Sequence, residues 1–399
     1  MSAKKAEPIE RFYKDCKKRI GRIYTSEELR TRGPAYMNTC YNTEVTADGI
    51  THFVDGIGDL NPLYRNREYA IKSKYGCLVA PPNYIYTITY SQFPDVKPVG
   101  LSGFYAGSAR EWFRPLCEGD KISFRVMFPS DVELKESKFA GQKVMLYEKG
   151  EYFNQEQRLV GAYNCWIIYV DDQRSAEMDK YHGIAEIPEY SEEDIKNVYA
   201  AQDSEVVRGP EPRYWEEVEV GEELTPVVRG PYTLAEQMAW VAGAHGSLHV
   251  SERLTRILMD RDPGQRHFYD PRLKIYSPFD QRDSSLLQKR GVPRIYAAGE
   301  QTEAWRNMVL TNWMGDDGFL WKSSTQIRGM NLQGDITWCR GKVTQKYCDN
   351  GKHCVDIDCW CENQRGEVTI PGTATVMLPS RIHGPVVYPE PRGVIRKSG

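Results

Sequence analysis

Long apolar runs, a dominant charge sign and a dense set of cysteines are all missing from this sequence of 399 residues. The longest apolar stretches, around 84–90 and 166–170, fall far short of the ~20 residues that a membrane helix needs. The first twenty residues contain no apolar signal-peptide core. Since 52 Lys and Arg stand against 55 Asp and Glu, the net charge is only −3. We therefore expect a cytoplasmic protein whose main partner is neither a membrane nor a nucleic acid.

Ten cysteines are too few for a disulfide scaffold in a chain of this length. Without a secretory signal, they are expected to be reduced thiols. Cys354, Cys359 and Cys361 follow His353, but the segment VDIDCWC alternates like a strand and contains no C-x-x-C pair. We expect thiols on a strand and no metal site.

The chain is long enough for two domains, and 40% of its residues are hydrophobic, so sizeable cores are expected. A helix-compatible segment, an apolar helical or buried segment and several alternating strands follow one another twice, in residues 35–175 and 213–385. A charged linker with a helix, residues 176–212, joins the two copies. Residues 1–34 are predicted to form an N-terminal arm with a helix, and residues 386–399 a C-terminal tail.

Turn chemistry supports a duplication. Each copy places Gly-Asp directly before a strand, at Gly119-Asp120 and at Gly334-Asp335. A helix followed by several antiparallel strands favours an α+β architecture in which each sheet wraps its own helix. Two such halves are expected to join side by side.

The sharpest motif of the first copy is GDLNPLY at 58–64. Taken alone, Asp59 and Asn61 before a proline have two equal interpretations. They fit a turn in which their side chains accept backbone hydrogen bonds, and they fit a catalytic role. In the wider context, the segment resembles the Gly-Asp-x-Asn-Pro-x-His motif of MaoC-like (R)-specific enoyl-CoA hydratases and dehydratases. The resemblance covers roughly residues 35–380, and APP at 80–82 is similar to FAS1-type dehydratase domains.

The resemblance implies a double hotdog fold and reversible hydration of a 2-enoyl thioester of coenzyme A. It implies no cofactor beyond the coenzyme A of the substrate. In such enzymes an Asp and a His together activate one water for addition to the β carbon, and the His returns a proton to the α carbon. A backbone N–H at the start of the central helix stabilises the enolate oxygen.

The first copy departs from the motif at two positions. Tyr64 stands where the motif has His, and the oxyanion glycine falls near Pro82, which has no N–H. This half is therefore expected to shape the acyl pocket. Asp59 with Asn61 is kept as a second candidate site.

The second copy carries GAHGSLH at 243–249. The motif histidine is retained as His249, the expected general acid/base, whereas Ala244 and Gly246 stand at the Asp and Asn positions. The segment IYAAG at 295–299 is similar to the oxyanion segment, so the Gly299 N–H is the expected donor.

Two candidates could take the role of the carboxylate that the second copy lacks. Asp316 and Asp317 follow the central helix of the second half and could return toward its N-terminal side, although a turn that stops the helix explains them equally well. His245 would share a helical face with His249 if that segment is helical. By contrast, Arg110 is interpreted as solvated surface charge rather than as a contact to coenzyme A phosphates.

Two other functions stay open at this stage. The chain would be a non-catalytic thioester-binding subunit that supports a partner enzyme if the departures from the motif abolish catalysis. It would be an acyl-CoA thioesterase if Asp59 activates water at the carbonyl carbon. The acyl group and the number of subunits are also open, with a homo-oligomer as one outcome.

Overall fold

The computed structural model describes residues 8–31, 42–89, 98, 100–137, 141–177, 184, 186–245, 251–261, 269–270, 272–276, 287–288 and 291–391. Within them the α-helices are α1 (Pro8–Lys17), α2 (Ser26–Thr31), α3 (Ala47–Ile57), α4 (Pro62–Arg65), α5 (Arg67–Lys72), α6 (Asp172–Glu177), α7 (Glu192–Asp203), α8 (Leu234–Trp240), α9 (Glu252–Arg261) and α10 (Gly299–Met314). Short 3-10 helices span Pro82–Thr87 and Trp215–Glu217, and a π-helix, Val241–His245, continues α8. Helices α1 and α7 lie in the predicted arm and linker.

The strands are β1 (Ile23–Thr25), β2 (Val79–Ala80), β3 (Leu101–Trp112), β4 (Leu116–Cys117), β5 (Ser123–Ser137), β6 (Gly141–Phe153), β7 (Leu159–Asp171), β8 (Glu223–Arg229), β9 (Tyr269–Asp270), β10 (Ile275–Tyr276), β11 (Phe319–Gln326), β12 (Thr337–Asp349), β13 (Lys352–Asn363) and β14 (Val368–Met377). Ten strands form one antiparallel sheet in the order β1-β5-β6-β7-β3-β11-β14-β13-β12-β8. The pairs β2-β4 and β9-β10 form separate ribbons.

The strand order confirms the duplication and the double hotdog architecture. Strands β3, β7, β6, β5 and β1 on one side of the β3–β11 contact are mirrored by β11, β14, β13, β12 and β8 on the other. The Gly-Asp turns are equivalent as well. The carboxylate of Asp120 accepts the N–H of Cys117, and that of Asp335 accepts the N–H of Leu332, three residues earlier in each case.

The two halves differ in their central helix. In the second half, α10 is buried from Gln301 to Met314 and packs against its own strands. In the first half, the described part of the apolar segment after Pro81 is buried and forms the 3-10 helix Pro82–Thr87. Helix α10 also contacts this 3-10 helix and β3.

Helices α3 and α8, the equivalent first helices of the two halves, cross at glycines. A Cβ on Gly56 would lie 2.8 Å from the carbonyl oxygen of Ala239, and one on Gly243 would lie 2.2 Å from that of His52. The backbones therefore touch where no side chain fits, which fixes the position of α8 and of the π-helix that continues it.

Replacing Gly56 by alanine is expected to lower the free energy of unfolding by about 1–2 kcal/mol. The added methyl must push the crossing helices apart, which costs about 1–3 kcal/mol, while better helix propensity returns up to about 1 kcal/mol. Urea unfolding of the variant at pH 7 measures the difference. A variant as stable as the parent would contradict the close crossing.

Other sequence expectations concern membranes and thiols. In the described part of the chain, no helix is long and apolar enough to cross a bilayer.

Cys359 and Cys361 lie on β13, as predicted, and are buried free thiols. The Sγ atoms of Cys361 and Cys339 are 3.5 Å apart across the β12–β13 pair. No group of three or more His, Cys, Asp or Glu among the described residues is placed to bind a metal ion.

Candidate active site

Two candidate regions lie at opposite ends of α10. We call the first the motif pocket, formed around Tyr64 and Asp316 next to the last turn of the helix. The second is the helix-start site, formed by Gly299, Glu300 and Tyr105. The sixteen residues of α10 separate the two regions by about 24 Å. A residue in one region therefore does not contribute to chemistry in the other.

Local backbone bonds explain how the motif loop holds Asp59 and Asn61. Helix α3 ends at Gly58, whose φ of 67° lies in the left-handed region that favours glycine. Asp59 Oδ1 accepts the N–H of Asn61 at 2.9 Å, and Asn61 Oδ1 caps α4 by accepting the N–H of Leu63 at 3.0 Å. Both side chains are buried. The turn expected from Asp and Asn before proline is present and engages one oxygen of each side chain.

The motif pocket is small. Its walls include Tyr64, Pro82 and Trp112 from the first half, and Met314 and Asp316 from the second. It encloses about 40 Å³, room for about two or three waters. Pro82 begins the 3-10 helix here and offers no N–H where an oxyanion donor is needed. The pocket thus has neither the histidine nor the donor of the complete motif.

Asp316 and Asp317 tie the two halves together at the end of α10. Asp316 Oδ2 accepts the Tyr69 hydroxyl at 2.5 Å, and the Asp316 carbonyl accepts the Tyr75 hydroxyl at 3.1 Å. Lys74 Nζ donates to the carbonyl of Asp317 at 3.0 Å. The structure corrects the expectation that either carboxylate returns toward the start of the central helix, because both follow its last residue.

Burial raises the proton affinity of two carboxylates in this region. Desolvation raises the pKa of Asp59 to about 6, although the N–H of Asn61 and the guanidinium groups of Arg229 and Arg65 act in the opposite direction. Asp59 Oδ2 has no hydrogen-bond partner among the described groups. Desolvation also raises the pKa of Asp316. Asp59 is therefore a buried acid whose charged form is unfavourable in the folded protein.

At its other end, α10 begins without a capping side chain. Its N-cap residue is Ala298, whereas Ser191 caps α7 and Thr233 caps α8. The N–H groups of the first turn of α10 thus meet no N-cap acceptor, and the helix dipole favours negative charge there. Gly299 lies against an aromatic ring, since a Cβ on it would be 2.5 Å from Tyr105 Cδ1. This close approach to β3 requires glycine.

A buried carboxylate of α10 holds Tyr105 in place. Glu303, only 1% exposed, accepts the hydroxyl groups of Tyr86, Tyr105 and Ser108, at 3.1 Å from Tyr105 and 3.0 Å from Ser108. Arg110 Nε lies 3.9 Å from the same carboxylate. All four partners belong to the first half, so Glu303 fixes the start of α10 against that half.

Arg110 is buried, which corrects the expectation of solvated surface charge. Its guanidinium carbon lies 4.1 Å from the ring centre of Tyr86 and 4.8 Å from that of Tyr163. These ring faces and the carboxylate of Glu303 compensate for the lost hydration of the guanidinium group. Its charge therefore acts inside the protein, beside the helix-start site.

Sequence reasoning missed Glu300, which follows Gly299 in the first turn of α10 and is half-buried. The pKa of Glu300 is raised to about 7, mainly by desolvation and also by the neighbouring Glu303, against the opposing effects of its own N–H and of Arg110. A carboxyl group that titrates near neutral pH is suited to accept and return a proton. The available signal was a carboxylate next to the expected oxyanion glycine, but acidic residues are common in any first helical turn.

The side chains of the two histidines in the GAHGSLH segment are not among those the structure describes. His249 lies in residues 246–250, outside them. His245 ends the π-helix that continues α8, and its side chain is also outside the described part. Ala244, at the Asp position of the motif, is fully buried. The pairing of His249 with Gly299 therefore stays a prediction.

Comparisons with known proteins agree with this architecture. Residues 35–162 match the family model described as FAS1-like, dehydratase domain region. A solved MaoC-like dehydratase is 14% identical, with a TM-score of 0.59 over 90% of this chain and 98% of that one. A putative MaoC domain dehydratase from Chloroflexus aurantiacus is 12% identical, with a TM-score of 0.53 over 91% and 96% of the two chains.

A third solved structure is a conserved hypothetical protein from Mycobacterium tuberculosis with a double hotdog fold. It is 8% identical, with a TM-score of 0.50 over 90% of this chain and 96% of that one. No curated protein matches this sequence. The chain is thus a double hotdog protein with the fold of the MaoC-like dehydratases. The match to the FAS1-like dehydratase region lies in its first half.

Proposed function

We propose that this protein adds or removes water across a 2-enoyl-CoA thioester at the helix-start site. The observation that carries the proposal is the uncapped start of α10 at Gly299, next to Tyr105 and to a half-buried carboxylate of near-neutral pKa. The fold shared with MaoC-like dehydratases supports the same class of reaction. The motif pocket is the weaker candidate because it lacks an N–H donor at Pro82.

Each group of the proposed site has a separate task. The Gly299 N–H binds the thioester oxygen and stabilises the negative charge that develops there as water adds to the β carbon. His249 acts as general acid/base, because a neutral water is a poor nucleophile until a base takes its proton. The reverse sequence removes water from a 3-hydroxyacyl thioester. All of these groups belong to the chain or to the substrate, so the proposal includes no further cofactor.

Mass analysis of products tests the proposal. Purified protein is incubated with straight, branched and aromatic 2-enoyl-CoA thioesters, and each product is compared with its substrate. A gain of one water supports hydration. Free coenzyme A without hydrated product would instead indicate a thioesterase. Unchanged thioesters that nevertheless bind would indicate a non-catalytic binding subunit.

Replacing Gly299 by alanine is expected to lower kcat for hydration at least tenfold. The new methyl group would lie 2.5 Å from the ring of Tyr105, which Glu303 holds in place, so the first turn of α10 must shift away from its position. Loss of one oxyanion donor costs about 10²–10³ in rate, which sets the upper range. Steady-state kinetics and thermal unfolding of the variant measure the effect.

Gly329→Ala is the matched control for this variant. A Cβ there would lie 3.2 Å from a methyl carbon of Thr369, outside either candidate region. Its kcat should stay within about twofold of the parent, as for most substitutions away from a site. Equal kcat values for both alanine variants would argue against Gly299 as the donor.

A further inference from the structure

We infer that the motif pocket binds a short hydroxy acid, with the ligand hydroxyl on Asp316 and the ligand carboxylate on Arg114. Residues 386–391, which we call the C-terminal strap, lie against the walls of this pocket and hold Arg114 until the ligand replaces them. The inference goes beyond the proposed function, because it concerns binding next to the last turn of α10 rather than chemistry at its start.

Apolar side chains from both halves form most of the wall of the motif pocket. The first half contributes Val79, Trp112 and Leu116, and the second contributes Met314 and Leu320. The enclosed space of about 40 Å³ holds two or three waters, and hence about three carbon or oxygen atoms of a ligand. The pocket therefore suits the methyl end of a short chain, whose remaining atoms stay at the opening.

Asp316 contributes the carboxylate of the pocket wall. It is 8% exposed, and its Oδ2 accepts the Tyr69 hydroxyl while its carbonyl accepts the Tyr75 hydroxyl. Its Oδ1 has no partner among the described groups. A buried acceptor without a partner is uncommon in a folded protein, because it has lost its hydration without compensation. A ligand hydroxyl that donates to Oδ1 supplies that partner.

Arg114 is the cation of the pocket wall, and its side chain is 33% exposed. Its described hydrogen bond goes to Glu390, with 3.4 Å between Nη2 and Oε1. The side chain of Glu390 is 82% exposed, so this ion pair is weak. A guanidinium group has five N–H donors and matches a carboxylate with two parallel hydrogen bonds. The carboxylate of a bound acid can therefore replace that of Glu390, which returns to water.

The C-terminal strap contacts three residues that line the pocket, Tyr75, Phe319 and Arg114. The ring centres of Tyr388 and Phe319 are 4.9 Å apart, and the hydroxyl groups of Tyr388 and Tyr75 share a hydrogen bond. Glu390 follows Tyr388 by two residues and pairs with Arg114. The strap thus places its own carboxylate where the carboxylate of the ligand would bind, and it competes with the ligand.

These contacts define the ligand by its functional groups. Asp316 requires a hydrogen-bond donor, Arg114 requires an anion, and the walls between them require a short apolar chain. 3-Hydroxybutyrate has all three. Its methyl group, its third carbon and its hydroxyl are three heavy atoms for the enclosed space, and the next carbon carries the carboxylate to the opening. A fatty acid without a hydroxyl would leave Asp316 without a partner, and an alkylammonium ion would leave Arg114 with Glu390.

Isothermal titration calorimetry of the full chain tests the ligand with three probes of similar size. 3-Hydroxybutyrate should bind. Butyrate lacks the hydroxyl and 3-hydroxybutyramide lacks the charge, so each should bind at least about tenfold more weakly, since each leaves one charged hydrogen bond unmade. No binding of 3-hydroxybutyrate, or equal affinity for the three probes, would overturn the inference.

The role of Asp316 is tested by Asp316→Asn, with Asp317→Asn as the matched control. Asp317 is the next residue, 39% exposed and 3.6 Å from Lys74, and it does not line the pocket. Asp316→Asn should weaken binding of 3-hydroxybutyrate about tenfold, toward the affinity for butyrate, because the charged acceptor of the hydroxyl is lost. Asp317→Asn should keep the parent affinity. Equal affinities of the two variants would contradict the role of Asp316.

The role of Arg114 is tested by Arg114→Gln, with Arg340→Gln as the matched control. Arg340 is 40% exposed, and its Nε lies 3.6 Å from Glu362 on the neighbouring strand, outside the pocket. Arg114→Gln should bind 3-hydroxybutyrate and its amide about equally, since the cation that distinguishes them is gone. Arg340→Gln should keep the parent preference for the acid. The same preference in Arg114→Gln would overturn the assignment of the carboxylate to Arg114.

The competing role of the strap is tested by Glu390→Gln. Removing this carboxylate should tighten binding of 3-hydroxybutyrate about two- to fivefold, the range expected when an exposed ion pair no longer opposes the ligand. Glu362→Gln, which removes the partner of Arg340, should leave the affinity unchanged. An unchanged or weaker affinity of Glu390→Gln would overturn the role of the strap.

These measurements use no thioester, so they are independent of the proposed function. A protein that hydrates no 2-enoyl thioester but binds 3-hydroxybutyrate with the stated preferences would refute the proposed function alone. A protein that hydrates the thioester but binds no hydroxy acid would refute this inference alone.

Discussion

Replacing His249 by alanine is expected to abolish detectable water addition to the 2-enoyl-CoA substrate. The imidazole is the proposed general acid/base of the site, and loss of such a group lowers the rate by about 10²–10⁴-fold. Ala244 stands at the Asp position of the same segment and cannot take over its role, since an alanine methyl group can neither donate nor accept a proton. Measuring hydrated product by mass for the parent and the variant gives the loss directly.

The second histidine of the segment provides the comparison. His245→Ala removes an imidazole four residues earlier, at the end of the π-helix. If His249 is the acid/base, the His245 variant should keep most of the activity. If the two variants lose activity equally, both imidazoles act together. Full activity of His249→Ala would remove the helix-start site as the place of reaction.

Asp59→Asn is expected to raise the free energy of unfolding by about 2 kcal/mol at pH 8. The folded protein holds the pKa of Asp59 at about 6, against an ordinary value of 3.8, which corresponds to about 3 kcal/mol at high pH. Asparagine keeps an oxygen that accepts the N–H of Asn61. Its buried amide NH2 group, at the place of the unpartnered Oδ2, lacks a partner and so reduces the gain in stability by about 1 kcal/mol. Removing the buried charge therefore stabilises the fold.

The pH dependence has a definite sign. Because the folded pKa of Asp59 is raised, the folded state binds more protons than the unfolded state between about pH 4 and pH 6. The contribution of this group to stability is complete below pH 3.8 and is lost as the pH rises through 6. The stability difference between Asp59→Asn and the parent should thus grow with pH over this window.

Urea unfolding at several pH values measures the effect, and Asp55→Asn serves as the matched control. The side chain of Asp55 is 54% exposed in the last turn of α3, the helix that precedes Asp59, so its replacement should change stability by less than about 0.5 kcal/mol. A destabilised Asp59→Asn protein at pH 8 would contradict the buried-acid interpretation. Loss of hydration in this variant would move the chemistry to the motif pocket.

Much of the fold could be predicted because its signals are local. Alternating strands, the Gly-Asp turns before β5 and β12, and the order of segments in each copy are all readable along the chain. The length of the first central helix was less predictable. An apolar segment is compatible with a buried α-helix and with a buried 3-10 helix. The prolines at 81 and 82 indicate where this helix begins but not where it ends.

The candidate site was predictable in part. The position of Gly299 at the start of the central helix follows from the motif order, and the structure places it there. The position of Asp316 did not follow, because a turn after a helix can direct the chain either way until Tyr69 and Tyr75 fix it. Arg110 was misjudged because its partner Glu303 lies almost two hundred residues further along the chain.

The amino-acid sequence by itself determined the duplicated α+β architecture, the motif remnants and the glycine at the start of the second central helix. The architecture follows from periodicity and turn chemistry, which act between near neighbours in the chain. The motif remnants and the glycine follow from the resemblance to the MaoC-like family. The tertiary structure decided which end of α10 each carboxylate occupies, and it gave Glu300 a pKa of about 7. Desolvation and the fields of Glu303 and Arg110 arise only when the two halves close around the helix.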